Sequence, residues 1–510
     1  MMQTITVFPS HVKTFFNKLW WILLIAFSLL VLMPLGAVLL ELALSNLSIV
    51  KTELLSKDTV KILYNSIELS IFVTVGAAFL GIILAFFVLK MSSLNKFFTI
   101  ALALPLAIPD FVMALSFLLL FPKAQGILPA SLVMICATYP LVFLPVRNAL
   151  MAQDANLIDI YKVFNLSNKR IFLTQLSYLK QAIASGAILV FLASLSEYGT
   201  YALLGYQTLT TYAYSIFRIA GAGNQAFAVS LVIVIVGIII TLLKVLLVKS
   251  QLLSLSAQVS VAHSHQSIPT SMKIIAAALL SITTGICLLY PLVISLINAN
   301  FNAILNSETY RSIFYSLFYA GVSSVVIVIA SLVIIFTSYL RPLRVIKYLA
   351  QFSVATLSIP AIIIGISYTY IFSHYLPWFY LNPITLIASY VAMFFPLGFS
   401  TLYSYAQQLP KELVECALTH KLNIVKTFLR VFIPEMIPSL ATATLLSFVS
   451  IITELILTLI LIPTGQTTLA TTFWNYASNF DFHQAAFYSL MLIIIPSALF
   501  SIALVYQRAP

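Results

Sequence analysis

The sequence predicts an all-α polytopic membrane protein of about 12 transmembrane helices, arranged as two parallel six-helix halves. Three observations carry that reading. The 510-residue chain is 61% hydrophobic and 8% charged, too little polar surface to clothe a soluble fold but suited to a bilayer. Its apolar residues fall into stretches of ~20 or more, each long enough for the ~30 Å hydrocarbon core. One basic segment, ELVECALTHKLNIVKTFLRVFIPEMIP (Glu412–Pro438), has a weaker copy in LIDIYKVFNLSNKRIFLTQLSYLKQAI (Leu157–Ile183), Glu415 standing 256 residues after Asp159.

Along the chain, residues 1–61 hold a first span at 20–42 and a loop. His11, Lys13 and Lys18 precede this run without a small-residue cleavage site after it, so a retained helix is expected. Residues 62–249 form a first repeat unit with spans at 62–89, 97–121, 127–150, 184–205 and 226–248. The Ser-rich, weakly apolar stretch 250–271 reads as a linker. Residues 272–311 supply a seventh span at 274–297 and a loop, and 312–506 a second unit with spans at 312–339, 347–373, 378–405, 440–463 and 484–506.

Threading these spans with the N-terminus on the cytoplasmic side places about 20 of the 26 Lys and Arg on that side, the positive-inside bias. The net charge of +12 therefore reports topology, and a nucleic-acid partner drops out. Cys136, Cys287 and Cys416 are scattered thiols without metal-ligand spacing or a disulfide framework. Both basic segments must face one compartment, so an even number of helices separates them and the duplication is parallel. Around them, LVFLASLSEYGTYALLG is answered by LLSFVSIITELILTLILIP, with Glu197 matching Glu454.

In the second segment Leu413, Ala417, Leu422, Val425, Phe428, Leu429 and Phe432 recur at three- and four-residue steps, with Lys421, Lys426 and Arg430 between them. That periodicity predicts two short amphipathic helices, bent near Lys421–Asn423 and stopped at Pro434 before the next span. Such a helix suits the anionic inner leaflet, with its basic residues on headgroups, and suits equally a docking partner. Two copies at matched positions favour a two-fold partner.

The segment resembles the cytoplasmic loop of type I ABC importer permeases, whose pattern runs Glu-Ala-Ala, then Gly, then a hydrophobic-Pro pair. The second copy supplies Glu415, Cys416 and Ala417, Lys421 at the Gly position, and Ile433-Pro434. The first supplies Asp159, Ile160 and Tyr161, Asn165 at the Gly position followed by Ser167, and Ser177-Tyr178 for the final pair. By that resemblance each segment is a coupling loop seated on a homodimeric cytoplasmic ABC ATPase. The resemblance also implies a periplasmic binding protein that docks on the opposite face, at the loops 43–61, 206–225, 298–311 and 464–483. ATP and Mg²⁺ belong to the partner. No Gly here is followed by Lys, so the G-x-x-x-x-G-K-[ST] phosphate loop is absent, and the chain is expected to bind no cofactor and catalyse nothing. Ser196–Arg218 and Ile452–Leu490 resemble ferric-iron importer permeases of the bacterial inner membrane. Thiamine, phosphonate and polyamine permeases share much of the pattern.

Asp110, Glu197 and Glu454 stand inside or at the ends of apolar spans, where a charge costs ~2.5–3.5 kcal/mol on insertion scales. A symmetric axis brings Glu197 and Glu454 toward one another as hard oxygen donors along a translocation pathway. The competing reading has each accept hydrogen bonds from helix ends or Ser/Thr hydroxyls and touch no substrate. Asp110 follows Pro109 at an expected helix break that matches Pro360–Ala361. The His residues lack ligand spacing, and Tyr198, Tyr201, Trp474 and Tyr476 are expected at the outer lipid interface. Parallel halves with buried carboxylates also suit an ion-gradient-driven secondary transporter. A scaffold without a transport path is disfavoured by the paired acids.

Overall fold

A computed structural model of the chain describes residues 56–89, 91, 94–152, 167–220, 223–247, 270–340, 359–420 and 422–506, together with 33, 36 and 52. Every regular element among the described residues is helical. The span expected at 20–42 is, but for positions 33 and 36, outside them, as are most of the linker and residues 341–358.

In the first half, α1 (Lys57–Val88) is capped by Ser56, whose Oγ accepts the Thr59 N–H at 3.1 Å. Helix α2 (Asn95–Ala103) continues through a 3₁₀ turn at Leu104–Ala107, and α3 (Asp110–Leu120) leaves it at 91°. Pro109 causes that corner: its ring excludes the helical conformation at Ile108, which is extended (φ −94°, ψ 124°). Helices α4 (Ile127–Thr138) and α5 (Pro140–Met151) make one span. Then come α6 (Asn168–Ser196), the short α7 (Gly199–Leu203) and α8 (Leu209–Ser215), a π-turn at Ile216–Ala220, and α9 (Gly223–Leu247).

The second half opens with α10 (Thr270–Thr284), a π-turn at Gly285–Leu289 and α11 (Tyr290–Asn298). It goes on through α12 (Ser307–Leu340), α13 (Ala361–His374) and α14 (Pro383–Ala406) to the basic segment, α15 (Lys411–Thr419) and α16 (Ile424–Thr427). After a third π-turn at Phe428–Phe432 follow α17 (Ile433–Ile452), α18 (Ile456–Leu461), α19 (Leu469–Ser478) and α20 (Phe482–Tyr506).

Eight described helices, or linked helix pairs, are long and apolar enough to cross a membrane; the bent α2–α3 pair adds a broken span, and 225–240 and 361–374 are shorter apolar helices. Three expectations need correction. The spans expected at 184–205 and 440–463 are not continuous, because the helices end at Ser196 and Ile452 and restart beyond Glu197 and Glu454. Nor does Pro434 stop the helix: α16 runs through the π-turn into α17. Proline lacks an N–H and crowds the carbonyl four residues back. The wider turn just before it, in which the Ile433 N–H reaches Phe428 O, accommodates both defects. The same device precedes Pro291, where the Tyr290 N–H reaches Gly285 O.

Each half is built on the same three mutually packed helices, α1/α5/α6 and α12/α14/α17. The halves then exchange their last helices: α9 lies against α13, and α20 against α3. Phe227 and Tyr370 meet edge-on across the first of these contacts at 5.3 Å. The leading helices α10 and α11 of the second half cross over to α1, α2 and α3. There the Tyr290 hydroxyl donates to Ser116 O at 2.8 Å.

Candidate functional site

Two places gather the residues singled out by the sequence: the basic segments, and the helix breaks where the halves meet.

On the short α15, apolar residues three apart turn inward, so Val414 and Ala417 are buried while Glu412, Glu415 and Cys416 are exposed. The Leu422 N–H bonds Ala417 O at 3.2 Å, which turns the chain. Asn423 then caps the next helix, its Oδ1 accepting the Lys426 N–H at 2.7 Å. Ser167, 256 residues earlier, does the same for α6, accepting the Arg170 N–H at 3.4 Å. Ile433 is half-buried and Pro434 exposed on α17. Phe336 of α12 packs on Phe428 and Phe432 at 4.9 and 5.1 Å, tying the segment to its own half. Asp159, Asn165 and Lys421 lie outside the described residues.

At the breaks the two halves repeat one construction. Glu197 ends α6, and its Oε1 accepts the Thr200 N–H of α7 at 2.8 Å. Glu454 follows α17, and its Oε1 accepts the Leu457 N–H of α18 at 3.2 Å. Carboxylates suit these positions because the first N–H groups of a helix lack partners and carry partial positive charge. Beyond each short helix stands a left-handed glycine, Gly205 (φ 64°) and Gly465 (φ 80°), 260 residues apart. Next come matching capping boxes, Thr208 with Thr211 and Thr468 with Thr471. Ser66 of α1 accepts the Leu209 N–H at 2.8 Å, and Ser316 of α12 accepts the Leu469 N–H at 2.7 Å. Sequence reasoning picked out the acids but missed these threonines, serines and glycines. The matched Gly and T-x-x-T at one offset were the available signal.

The breaks converge. Gly199 is pressed between α3 of its own half and the other half: a Cβ there would lie 2.8 Å from Phe111 Cβ and 3.0 Å from Leu455 Cδ2, the latter across the seam. Phe111 packs on Phe473 at 4.9 Å. Tyr198 is sandwiched between Tyr214 of its own half (4.6 Å) and Trp474 of the other (5.2 Å). Tyr214 and Trp474 occupy equivalent positions, 260 residues apart, whereas the mate of Tyr198 is Leu455. Asp110, at the first turn of α3, and Glu454 both interact electrostatically with Glu197. All three carboxylates are half-buried. Among the described residues, no three His, Cys, Asp or Glu side chains close into a metal cage.

Tyr198, Tyr201 and Trp474, expected at the lipid interface, are instead 7%, 1% and 9% exposed. Tyr201 is held inside because its hydroxyl finds Ser194 Oγ at 2.7 Å, which removes the need for water. Tyr476 is half-buried and donates to Glu308 Oε2 at 2.8 Å. The two breaks lie at the far end of α6 and α17 from the basic segments, below a rim where the Gly126 N–H bonds Leu204 O at 3.0 Å.

Comparison with known proteins agrees with this duplicated build. The Fe(3+)-transport system permease protein FbpB 2 of Haemophilus influenzae is 24% identical over 453 residues, 85% of this chain and 87% of its own length. The ferric transport system permease protein FbpB of Actinobacillus pleuropneumoniae is 21% identical over 487 residues, 86% of this chain and 70% of that protein. The family described as binding-protein-dependent transport system inner membrane component matches twice, over residues 77–252 and 332–509. A multi-pass inner-membrane protein carrying that module in each half, the chain belongs to this family of transport permeases.

Proposed function

We propose that the chain is the membrane permease of an ATP-driven importer, and that its cargo is ferric iron handed over by a periplasmic binding protein. The observation that carries the proposal is the exposed polar face of α15, Glu412, Glu415 and Cys416, on a segment whose counterpart stands 256 residues earlier. Two handles related by the pseudo-symmetry of the halves suit a homodimeric ATPase on the cytoplasmic side. ATP and Mg²⁺ bind in that partner, which performs the hydrolysis.

Iron is supported by the names of the relatives and by the line of Asp110, Glu197 and Glu454. Hard carboxylate oxygens suit a hard trivalent cation. The acids are spread between the halves, an arrangement that passes a cation along instead of storing it. Tyr198, clasped by Tyr214 and Trp474 at the seam, closes the way on the side of the binding protein. Closure of the ATPase dimer draws the two basic segments together and rocks the halves apart at that seam, which exposes the acids to the outside.

The test uses the full chain reconstituted with and without its ATPase. Exposed Cys416 is expected to be alkylated readily in the chain alone and protected once the ATPase is bound. Glu415→Arg is expected to weaken ATPase co-purification more than Asp159→Arg, because the second segment keeps more of the coupling pattern. Uptake of radioactive ferric iron should require ATP and the binding protein. Uptake by the chain alone down a proton or sodium gradient would refute the importer reading. Uptake of thiamine or a polyamine in place of iron would refute the cargo.

A further inference from the structure

The basic segment has a second exposed face that the ATPase proposal does not use. From Ile424 the chain is helical without interruption to Ile452. Two sides of its lower end are occupied. Val431, Phe432 and Glu435 line a small cavity against Leu409, Pro410, Leu413 and Val414 at the root of α15. Phe428 and Phe432 pack on Phe336. What remains open carries two adjacent stripes. One is apolar, with Val425 46% and Leu429 55% exposed, and the other is cationic, Lys426 and Arg430, both exposed. Higher on the same helix Ile437 is 56% exposed, so the apolar stripe runs on into a membrane-spanning surface.

The first half repeats the arrangement. Arg170 and Leu173 stand 256 residues before Lys426 and Leu429. Both are exposed, with Tyr178 and Lys180 beyond them. In each half a cation is followed three residues later by an exposed leucine, the spacing that puts both side chains on one helix face. Arg170 and Lys426 precede their leucines and so lie nearer the end of the helix outside the membrane, while Arg430 stands beside Leu429.

We propose that these two faces, Arg170–Leu173 and Lys426–Leu429–Arg430, are binding sites for anionic phospholipid of the cytoplasmic leaflet. The phosphate of the headgroup meets the cations, and the leucine enters the edge of the acyl layer. An exposed apolar stripe gains by leaving water, whereas the cations beside it would be costly in the hydrocarbon core. At the boundary between them both are satisfied, because long basic side chains reach outward while their neighbours stay in the apolar layer. Continuity with the lipid-facing surface of α17 selects lipid over a free phosphate. Of the acidic groups nearby, Glu435 is exposed but lines the cavity on the α15 side, and Glu412 and Glu415 belong to α15 beyond the Asn423 bend. Each basic segment thus divides its labour, α15 for the protein partner and α16 with its π-turn for the membrane. The side of the bilayer rests on the orientation proposed above; the preference for lipid does not.

The experiment is native mass spectrometry of the full-length chain in detergent, with phosphatidylglycerol and phosphatidylcholine supplied together. Wild type is expected to retain phosphatidylglycerol preferentially. K426Q/R430Q is expected to lose retention by about fivefold per cation removed, and R170Q by about fivefold at the first site. Glycerol phosphate without acyl chains should not compete. Equal retention of the two lipids by wild type, unchanged retention in K426Q/R430Q, or displacement by glycerol phosphate would each overturn the proposal. Unchanged lipid retention together with loss of ATPase co-purification in K426Q/R430Q would assign the face to the protein partner. The wild-type preference reads the proposal even where a variant fails to fold. Failure here leaves the role of α15 intact, since that is read through Cys416.

Discussion

Glu197 and Glu454 each hold a backbone N–H three residues ahead, so substitution there separates charge from capping. Glutamine keeps an acceptor oxygen for the cap and removes the charge. Alanine removes both and costs about 1 kcal/mol at each cap. Glu197→Gln and Glu454→Gln are therefore expected to leave the melting temperature near wild type while reducing ferric-iron uptake at least tenfold if the charge serves the cargo. A thermal melt beside an uptake assay checks this, and full uptake by both glutamine variants would reduce the acids to structural caps. That the acids mattered was legible from their cost in apolar surroundings. That they accept hydrogen bonds from helix ends was one of the two readings the sequence offered, and the bonds to Thr200 and Leu457 agree with it; which N–H groups they hold was not legible, because composition does not register where the backbone turns.

The short elements beyond each acid depend on Gly205 and Gly465, whose positive φ other residues reach only at a cost of about 1–2 kcal/mol. Gly465→Ala should thus lower the melting temperature by a few degrees, and Gly205→Ala similarly. Gly321→Ala, at a position with open space and an ordinary helical conformation, should leave it nearly unchanged or raise it. A melting series on the purified chain decides. Elements of this kind are where sequence reading ran out. The long spans were visible because twenty apolar residues admit few other fates. The corner at Pro109 was visible because proline restricts the residue before it. Three π-turns were not, since one extra residue in a turn leaves the apolar period almost unaltered. Pro434 was therefore read as a stop where the widened turn carries the helix through.

Taken whole, the molecule is two repeats laced together: α9 against α13, α20 against α3, and α10–α11 across the first half. Those contacts, more than the covalent connection, should hold it. A chain cut within the Ser-rich stretch 251–260 and produced as two fragments in one cell is expected to co-purify as a pair with most of its uptake activity. Fragments that each purify alone would show that the covalent join does the holding. The duplication was plain from the offset between basic segments, whereas the crossing-over of helices leaves no periodic trace in the sequence. The seam adds one more consequence. Position 198 is a tyrosine and its mate at 455 a leucine, so Tyr214 and Trp474 clasp the ring of Tyr198 with no matching ring from the other half. An assembly of two identical subunits would have to bring the same residue to that spot from both sides, two rings or none. Joining the repeats into one polypeptide released them from that obligation, and the doorway could be hung with a single leaf.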